Sequence, residues 1–148
     1  MPLAQSIWRL LWRMANTIAQ EVEKAAVLLQ LLRRLESADD NGYAQCVTCH
    51  VYQEYKLMEG GHFISRGKLA TKLDERNIHP QCLYCNHFGG DFVKIKYRQF
   101  MDHQYGAEFV TDLEQESRGI KKYTRPEVQG LAKDFRSRIR VEQQRVGG

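Results

Sequence analysis

Residues Cys46–Asp91, CVTCHVYQEYKLMEGGHFISRGKLATKLDERNIHPQCLYCNHFGGD, decide the fold of this chain. Two Cys-x-x-Cys pairs, Cys46/Cys49 and Cys82/Cys85, lie near the ends of the stretch and use all four cysteines of the chain. Two such pairs supply the four thiolates of a tetrahedral structural zinc site. The 32 residues between the pairs exceed the roughly 15–20 of a compact zinc ribbon. We therefore expect the metal to clamp the ends of an inserted loop.

Two disulfides are the alternative use of these cysteines, but they need an oxidising compartment. The N-terminus shows no secretory signal. No uninterrupted apolar run reaches the roughly 18 residues that a membrane-spanning helix needs. The sequence thus predicts zinc, a cytoplasmic protein and no membrane partner. His50 follows Cys49 and is a competing ligand, although four thiolates already complete the site.

His62 is the candidate catalytic residue of the inserted loop. The pattern around it predicts a hairpin in which Glu59–Gly61 joins a strand at Tyr52–Met58 to a strand at His62–Ile64. A neutral imidazole can accept a proton from water near pH 7. Opposite a metal-bound phosphate, such a base would complete a metal-assisted hydrolysis. The alternative is that His62 has only a structural role, which is the commoner role of a lone histidine.

The order of these residues resembles a known nuclease family. A cysteine pair, His62, Asn77 and a second pair followed directly by Asn86 is the layout of zinc-stapled HNH (ββα-metal) nucleases, similar to the phage endonuclease VII Holliday-junction resolvases. Three strings look closer still to the phage recombination protein family NinG/Rap: GHFISRG at 61–67, NIHPQC at 77–82, and Cys85-Asn86 followed by Gly89-Gly90-Asp91. The resemblance covers roughly residues 43–125.

The resemblance implies a role for each matching residue. His62 would be the general base, and Asn77 would brace the loop between strand and helix. Asn86 would ligate a catalytic Mg²⁺ or Mn²⁺, and the four cysteines would hold structural zinc. Taken singly, both asparagines are also common turn residues.

One position departs from the endonuclease VII pattern, which usually has an aspartate metal ligand directly before the catalytic histidine. Gly61 stands there and has no ligand atom. Asp91 and Glu59 are the first candidates for the second protein ligand, and His87 is the next candidate. A Mg²⁺ site tolerates few protein ligands because the ion keeps several waters and takes phosphate oxygens.

The function that the resemblance implies is a metal-dependent endonuclease that hydrolyses phosphodiester bonds in branched, Holliday-junction-like DNA. A phage-encoded protein in the host cytoplasm would fit that role. Two alternatives stay open at this point. One is an HNH nuclease for linear duplex DNA, and the other is a non-catalytic zinc-stabilised module that binds DNA.

The charge distribution favours a nucleic-acid partner. The net charge is +4, and residues 118–148 carry nine positive and three negative side chains, so the basic excess is C-terminal. Basic patches bind phosphate backbones. The alternative is that these positive side chains form the solvent-exposed face of a helix and bind no partner. The predicted DNA contacts are Arg66 and Lys68 in the inserted loop and Lys121, Lys122, Arg136 and Arg140 in the C-terminal region.

The predicted fold is α+β and mainly helical: a zinc-stapled ββα-metal core at 43–106, between an N-terminal helical extension at 1–42 and a basic helical region at 107–148. Apolar residues at three- and four-residue steps predict helix over 4–36, allowing one break. This helix is apolar enough to need a partner, which is either the zinc core or a second copy in a homodimer.

The helices after the second cysteine pair have clear start and stop signals. The sequence predicts a short helix from Leu83 that Gly89-Gly90 interrupts, a helix over Phe92–Tyr105 that Gly106 ends, and a short acidic helix over Ala107–Glu116. A last helix follows Thr124-Arg125-Pro126-Glu127, which has the composition of a capping box.

Overall fold

The computed structural model describes residues 6, 7, 9–11 and 16–147. In chain order the elements are α1 (Ile18–Ser37), β1 (Tyr43–Gln45), β2 (Tyr52–Glu54), β3 (Met58–His62), α2 (Leu69–Lys72), β4 (Ile78–Cys82), α3 (Leu83–Phe88), α4 (Gly90–Tyr105), α5 (Ala107–Glu116) and α6 (Arg125–Gly147). The fold is α+β and mainly helical, as predicted. Within the described ranges, every helix is too short or too polar to cross a membrane.

The strands form two antiparallel pairs, and the predicted hairpin is wrong. Strand β1 pairs with β2, whereas β3 pairs with β4 so that Met58 lies opposite Cys82 and His62 opposite Ile78. The two glycines taken for a turn lie inside β3, and His62 ends this strand instead of beginning one. Helix α3 starts directly after β4, so β3, β4 and α3 form one continuous unit.

Helix α1 begins at Ile18, later than the predicted span, and a capping box marks its start. Asn16 and Thr17 are not helical. The Thr17 hydroxyl accepts from the Gln20 backbone N–H, and the Gln20 side chain accepts from the Thr17 backbone N–H. Such reciprocal bonds satisfy N–H groups that a helix start leaves without partners. The non-helical residues at 16–17 lie within the predicted span, which allowed one break, and residues 4, 5, 8 and 12–15 of that span lie outside the described residues.

The apolar face of α1 is buried within its own chain. Leu29, Leu32 and Leu35 of α1 pack in one cluster with Phe135 of α6 and Ile78 of β4. Burying side chains of this size contributes roughly 1.5–3 kcal/mol each. The N-terminal helix, the strand pair and the C-terminal helix consequently share one hydrophobic core.

Contact between α1 and β3 is unusually close at Gly60. A Cβ atom at this position would lie 2.7 Å from Cβ and 2.8 Å from Cα of Gln30. Next to this contact, Arg34 donates to the Met58 carbonyl oxygen at 2.8 Å, and Arg33 donates to the Ile78 carbonyl oxygen at 3.0 Å. Helix α1 thus holds the first residue of β3 and the first residue of β4.

The predictions for the later helices are confirmed. Helices α3 and α4 meet at the glycine pair, where Gly90 has a φ of 57°, and α4 ends before Gly106, which has a φ of 92°. Both values lie in the region that glycine adopts without a Cβ clash. At the start of α6, the Thr124 hydroxyl and the Glu127 carboxylate each accept from the other residue's backbone N–H at 3.4 Å.

Alanine substitution at two glycines should change stability in opposite directions. Gly60→Ala forces α1 away from β3, and overpacking of this kind costs roughly 1–3 kcal/mol. Gly130→Ala is the matched control, since Gly130 lies within α6 and a Cβ there meets open space. It should stabilise by roughly 0.5–1 kcal/mol through helix propensity.

Urea denaturation followed by circular dichroism measures both changes in the free energy of unfolding. A Gly60→Ala protein as stable as the wild type would contradict the close contact between α1 and β3.

Candidate functional site

The four cysteine sulfurs converge at the ends of β1 and β4. All four Sγ atoms lie within 4.8 Å of one another, and those of Cys49 and Cys82 are 3.7 Å apart. Zn–S bonds of about 2.3 Å in a tetrahedron place sulfurs about 3.8 Å apart. A disulfide needs about 2.05 Å, and the four cysteines are free. The cluster therefore fits a zinc ion and not a pair of disulfides.

Backbone geometry presents the four thiols from two tight turns. The first turn follows β1, where the His50 N–H donates to the Cys46 carbonyl oxygen at 2.9 Å. The second turn spans the end of β4 and the first turn of α3, where Cys82 Sγ accepts from the Cys85 N–H at 3.5 Å. His50 is exposed, and it lies outside the cluster of four thiols.

Hydrogen bonds favour a thiolate at the most buried position of the cluster. Burial alone would raise the pKa of the Cys46 thiol. Backbone N–H groups of Cys49, Cys82 and Thr48 and the Thr48 hydroxyl donate to its sulfur, and together they lower this pKa to about 6. Burial raises the pKa of the Cys85 thiol to about 12, so this thiol ionises readily only when a cation replaces its proton.

A groove of about 800 Å³ runs beside β3, α3 and α1. His62 and Glu59 of β3 line it together with Asn86 and His87 of α3, and Arg66 lines it from the loop after β3. A second cavity of about 400 Å³ shares His62, Asn86 and His87 with this groove. The structure thus brings the histidine and the second asparagine of the sequence motif to one concave surface.

Glu59 is the centre of a polar cluster in this groove. Its Oε2 atom lies 2.5 Å from Asn86 Nδ2 and 2.6 Å from His87 Nε2. The cluster offers one carboxylate, one amide oxygen and one imidazole, which are ligands that hard and borderline divalent cations accept. The three side chains are held together by contacts to one carboxylate oxygen, and a cation bound to them would replace these contacts.

The position before His62 has no room for an aspartate side chain. A Cβ atom on Gly61 would lie 1.9 Å from Oε1 of Gln81, so the buried Gln81 side chain occupies the space of a side chain at position 61. Strand alternation places Glu59 on the face of Gly61 and opposite to that of His62, and both side chains nevertheless line the groove at the end of β3.

Asp91, the other candidate ligand, lies apart from the polar cluster. Its side chain is 96% exposed at the start of α4 and is 3.7 Å from the Lys94 ammonium. It lines neither the groove nor the cavity that shares His62 with it.

His62 is held as a neutral imidazole. Burial lowers its pKa to about 4; the Lys72 carbonyl oxygen opposes this shift, whereas the charges of Arg66 and Lys72 add to it. The Nε2 atom lies 3.4 Å from the Lys72 carbonyl oxygen. A neutral ring that donates through Nε2 has an unprotonated Nδ1, which can accept a proton.

Asn77 is buried and holds the loop that follows His62. Its Oδ1 accepts from the Ile64 N–H at 2.7 Å, and its Nδ2 donates to the carbonyl oxygens of Ile64 at 3.0 Å and Thr71 at 3.2 Å. The Asn77 carbonyl oxygen accepts from the Phe63 N–H at 2.9 Å. One side chain thereby ties both ends of the loop together.

An ion-pair network from α1 supports the same loop, and the sequence analysis missed it. The Glu23 carboxylate pairs with the buried Lys72 ammonium and, at 2.9 Å, with Arg66. Glu23, Gln30 and Arg34 recur at seven- and four-residue steps, so they share a helix face, and Gln30 and Arg34 also line the groove. This polar stripe is visible in the sequence, but nothing there indicates what it faces.

The predicted DNA contacts are spread over the groove, a separate cavity, the loop before α2 and helix α6. Arg66 lines the groove. Lys121 and Lys122 line a separate cavity with Lys72, and Lys121 pairs with Glu127 at 2.7 Å. Lys68, Arg136 and Arg140 are exposed, and none of the three forms an ion pair with another described residue. Lys56 lines the groove and was not predicted.

Comparison with protein families identifies the chain. The family described as "NinG: Bacteriophage Lambda NinG protein" matches residues 20–145. The chain belongs to the NinG family. Neither the curated proteins nor the solved structures that were compared with it include a match. The match covers both cysteine pairs, the groove and α1 from its third residue, so all parts of the site belong to the NinG region.

Removal of one thiolate should remove zinc from this NinG-family protein. Cys82→Ser keeps an oxygen that can accept from the Cys85 N–H but removes one of four sulfurs. His50→Asn is the matched control, because His50 has a φ of 66° that asparagine tolerates. Elemental analysis after dialysis should find zinc in the wild type and His50→Asn, and a clear loss in Cys82→Ser. Equal zinc in all three proteins would contradict the site.

His62 should stay neutral at physiological pH and well below it. A pKa of about 4 means that protonation, and with it the loss of any base function, begins only as the pH falls towards that value. NMR of the imidazole nitrogens should show an unchanged neutral ring between pH 8 and about 5.5. A titration midpoint near the ordinary value for histidine would contradict the burial of His62.

Proposed function

We propose that this NinG-family protein is a divalent-metal-dependent DNA endonuclease with a ββα-metal (HNH) core. The observation that carries the proposal is the groove in which neutral His62 lies beside the cluster of Glu59, Asn86 and His87. A base that is neutral at pH 7 next to a cation-binding cluster is the arrangement that metal-assisted phosphodiester hydrolysis requires. The antiparallel pairing of β3 with β4, which α3 follows directly in the chain, supports the HNH assignment.

In the proposed mechanism, Nδ1 of His62 takes a proton from a water molecule, and the resulting hydroxide attacks phosphorus. In this mechanism the Lys72 carbonyl oxygen accepts from Nε2–H, which leaves Nδ1 unprotonated, and His62 lines the groove. Arg66 lines the groove from the loop, where its guanidinium would contact a phosphate oxygen. Glu59 and Asn86, with His87 beside them, would hold Mg²⁺ or Mn²⁺, which supplies charge stabilisation for the pentavalent phosphorus and the leaving 3′ oxygen.

Zinc has a structural role in this proposal. All four of its ligands are thiolates, so no coordination position is open for substrate. Two ligands come from the end of β4 and the first turn of α3, and Asn86 directly follows the second of them. Zinc therefore fixes the start of the helix that carries the groove residues.

Branched recombination intermediates are the proposed substrate, and the host cytoplasm is the proposed location. Membership of a phage lambda protein family and the motif order support both. Exposed cations on α6 would add sequence-independent contacts to the phosphate backbone. In this proposal Lys121 and Lys122 extend that surface, and Asp91 has no direct role in metal binding.

Cleavage of a labelled four-way junction and of a linear duplex with the same sequences tests the function. His62→Ala should slow metal-dependent junction cleavage by about 10²-fold or more, the usual contribution of a general base. His103→Ala is the matched control, because His103 is exposed on α4 outside the groove. It should cleave like the wild type in Mg²⁺ or Mn²⁺.

The outcomes separate the proposal from its alternatives. If both DNAs are cleaved equally and cleavage still depends on His62, the protein is a nuclease but has no preference for branched DNA. Cleavage by His62→Ala at the wild-type rate would contradict the mechanism. Binding of DNA by the wild type without any metal-dependent cleavage would favour a zinc-stabilised binding module.

A further inference from the structure

Large aromatic side chains are exposed beside the groove. Tyr84 and Phe88 of α3 are 67% and 71% exposed, and Phe92 at the start of α4 is 66% exposed. We call these three residues the aromatic surface. Tyr97 and Phe135 show that the chain buries comparable rings elsewhere. An apolar cluster that a folded protein leaves in water commonly marks a binding site.

The aromatic surface and the groove share helix α3. Leu83 and His87 lie four residues apart and line the groove, whereas Tyr84 and Phe88 lie four residues apart on the neighbouring face. The Tyr84 and Phe88 ring centroids are 6.2 Å apart, and the His87 ring centroid is 6.1 Å from that of Phe88. The Tyr84 and Phe88 rings are therefore continuous with the polar cluster around Glu59, and Phe92 follows them at the start of α4.

The charges around the aromatic surface suit a polyanion. The Lys96 ammonium lies 5.5 Å from the centroid of the Phe92 ring. The Lys94 side chain is 82% exposed, and Lys56 lines the groove. Asp91 is the acidic group nearest in sequence to Lys94 and Lys96, and it lies 3.7 Å from Lys94. Glu54 and Glu59 are the acidic residues nearest in sequence to Lys56. Positive charge next to exposed rings is the combination by which proteins bind unpaired nucleotides.

We propose that the aromatic surface stacks against unpaired bases next to the phosphate that enters the groove. This inference rests on the proposed function and defines its substrate as DNA with unstacked bases, such as a branch point or a fork. Bases inside an intact duplex are already stacked on their neighbours, so they offer the rings no free face. The aromatic surface then accounts for a preference for branched DNA over linear duplex.

Binding without cleavage tests the stacking proposal. The probe is a forked DNA with 2-aminopurine at the first unpaired position, compared with a fully paired duplex, with Ca²⁺ in place of Mg²⁺ or Mn²⁺. Stacking of one base contributes about 1–3 kcal/mol, or about 5- to 150-fold in affinity. The Tyr84→Ala/Phe88→Ala double variant should lose about tenfold or more in affinity for the fork and less than twofold for the duplex.

Two further variants separate stacking from general apolar contact. Phe88→Leu keeps an apolar side chain without an aromatic face and should weaken fork binding, whereas Phe88→Trp should retain both binding and quenching of 2-aminopurine fluorescence. Ile120→Ala is the control for an exposed apolar residue, since Ile120 is 94% exposed in the linker before α6. This variant should bind like the wild type.

Several results would overturn the inference. Unchanged fork binding in the double variant would do so, as would an equal loss on fork and duplex. The wild type could instead be a dimer that the double variant converts to a monomer while its affinity for the fork stays unchanged. That result would show that the aromatic surface binds a second copy of the chain. The stacking test measures binding, whereas the proposed function is tested by cleavage. A protein that binds the fork but cleaves no DNA would therefore contradict the proposed function and leave the stacking result unaffected.

Discussion

Convergence of four thiols at the ends of β1 and β4 is the constraint on which the rest of the structure depends. The strands have only three to five residues each and form two separate two-stranded pairs. Isolated pairs of this length are marginally stable in water. In small zinc modules, zinc binding contributes roughly 10–16 kcal/mol of apparent free energy to folding. A metal at this point joins the turn after β1 to the junction of β4 and α3.

Helix α1 completes the site that the zinc cluster orients. It packs against β3 at Gly60, and its arginines bind carbonyl oxygens at the starts of β3 and β4. Through Glu23 it also holds Lys72, whose carbonyl oxygen contacts His62. The groove therefore consists of residues from the N-terminal helix as well as from the central unit. A chain that lacked α1 would lose both a wall of the groove and the support of the loop that contacts His62.

The sequence predicted those parts of the fold that local signals determine. Paired cysteines, a Gly-Gly interruption, Gly106 and the Thr124 box each act within a few residues, and the elements that they delimit are present. Strand pairing was predicted wrongly because Gly60 and Gly61 are small for packing reasons: Gln30 and Gln81 occupy the space beside them. Contacts between distant segments, such as Glu23 with Lys72, leave no local pattern. For the same reason, the sequence offered Asp91 and Glu59 equally as ligands, although only Glu59 lies in the groove.

The central claim is that one small scaffold holds two different metals, with zinc among the thiolates and a catalytic ion in the groove. Crystals of the protein grown with Mn²⁺ and diffraction data collected around the zinc and manganese absorption edges test it most directly. The account predicts a zinc peak between the four sulfurs and a separate manganese peak within about 2.0–2.6 Å of ligand oxygens of Glu59 or Asn86. Manganese found only among the thiolates, or a groove without manganese, would contradict it.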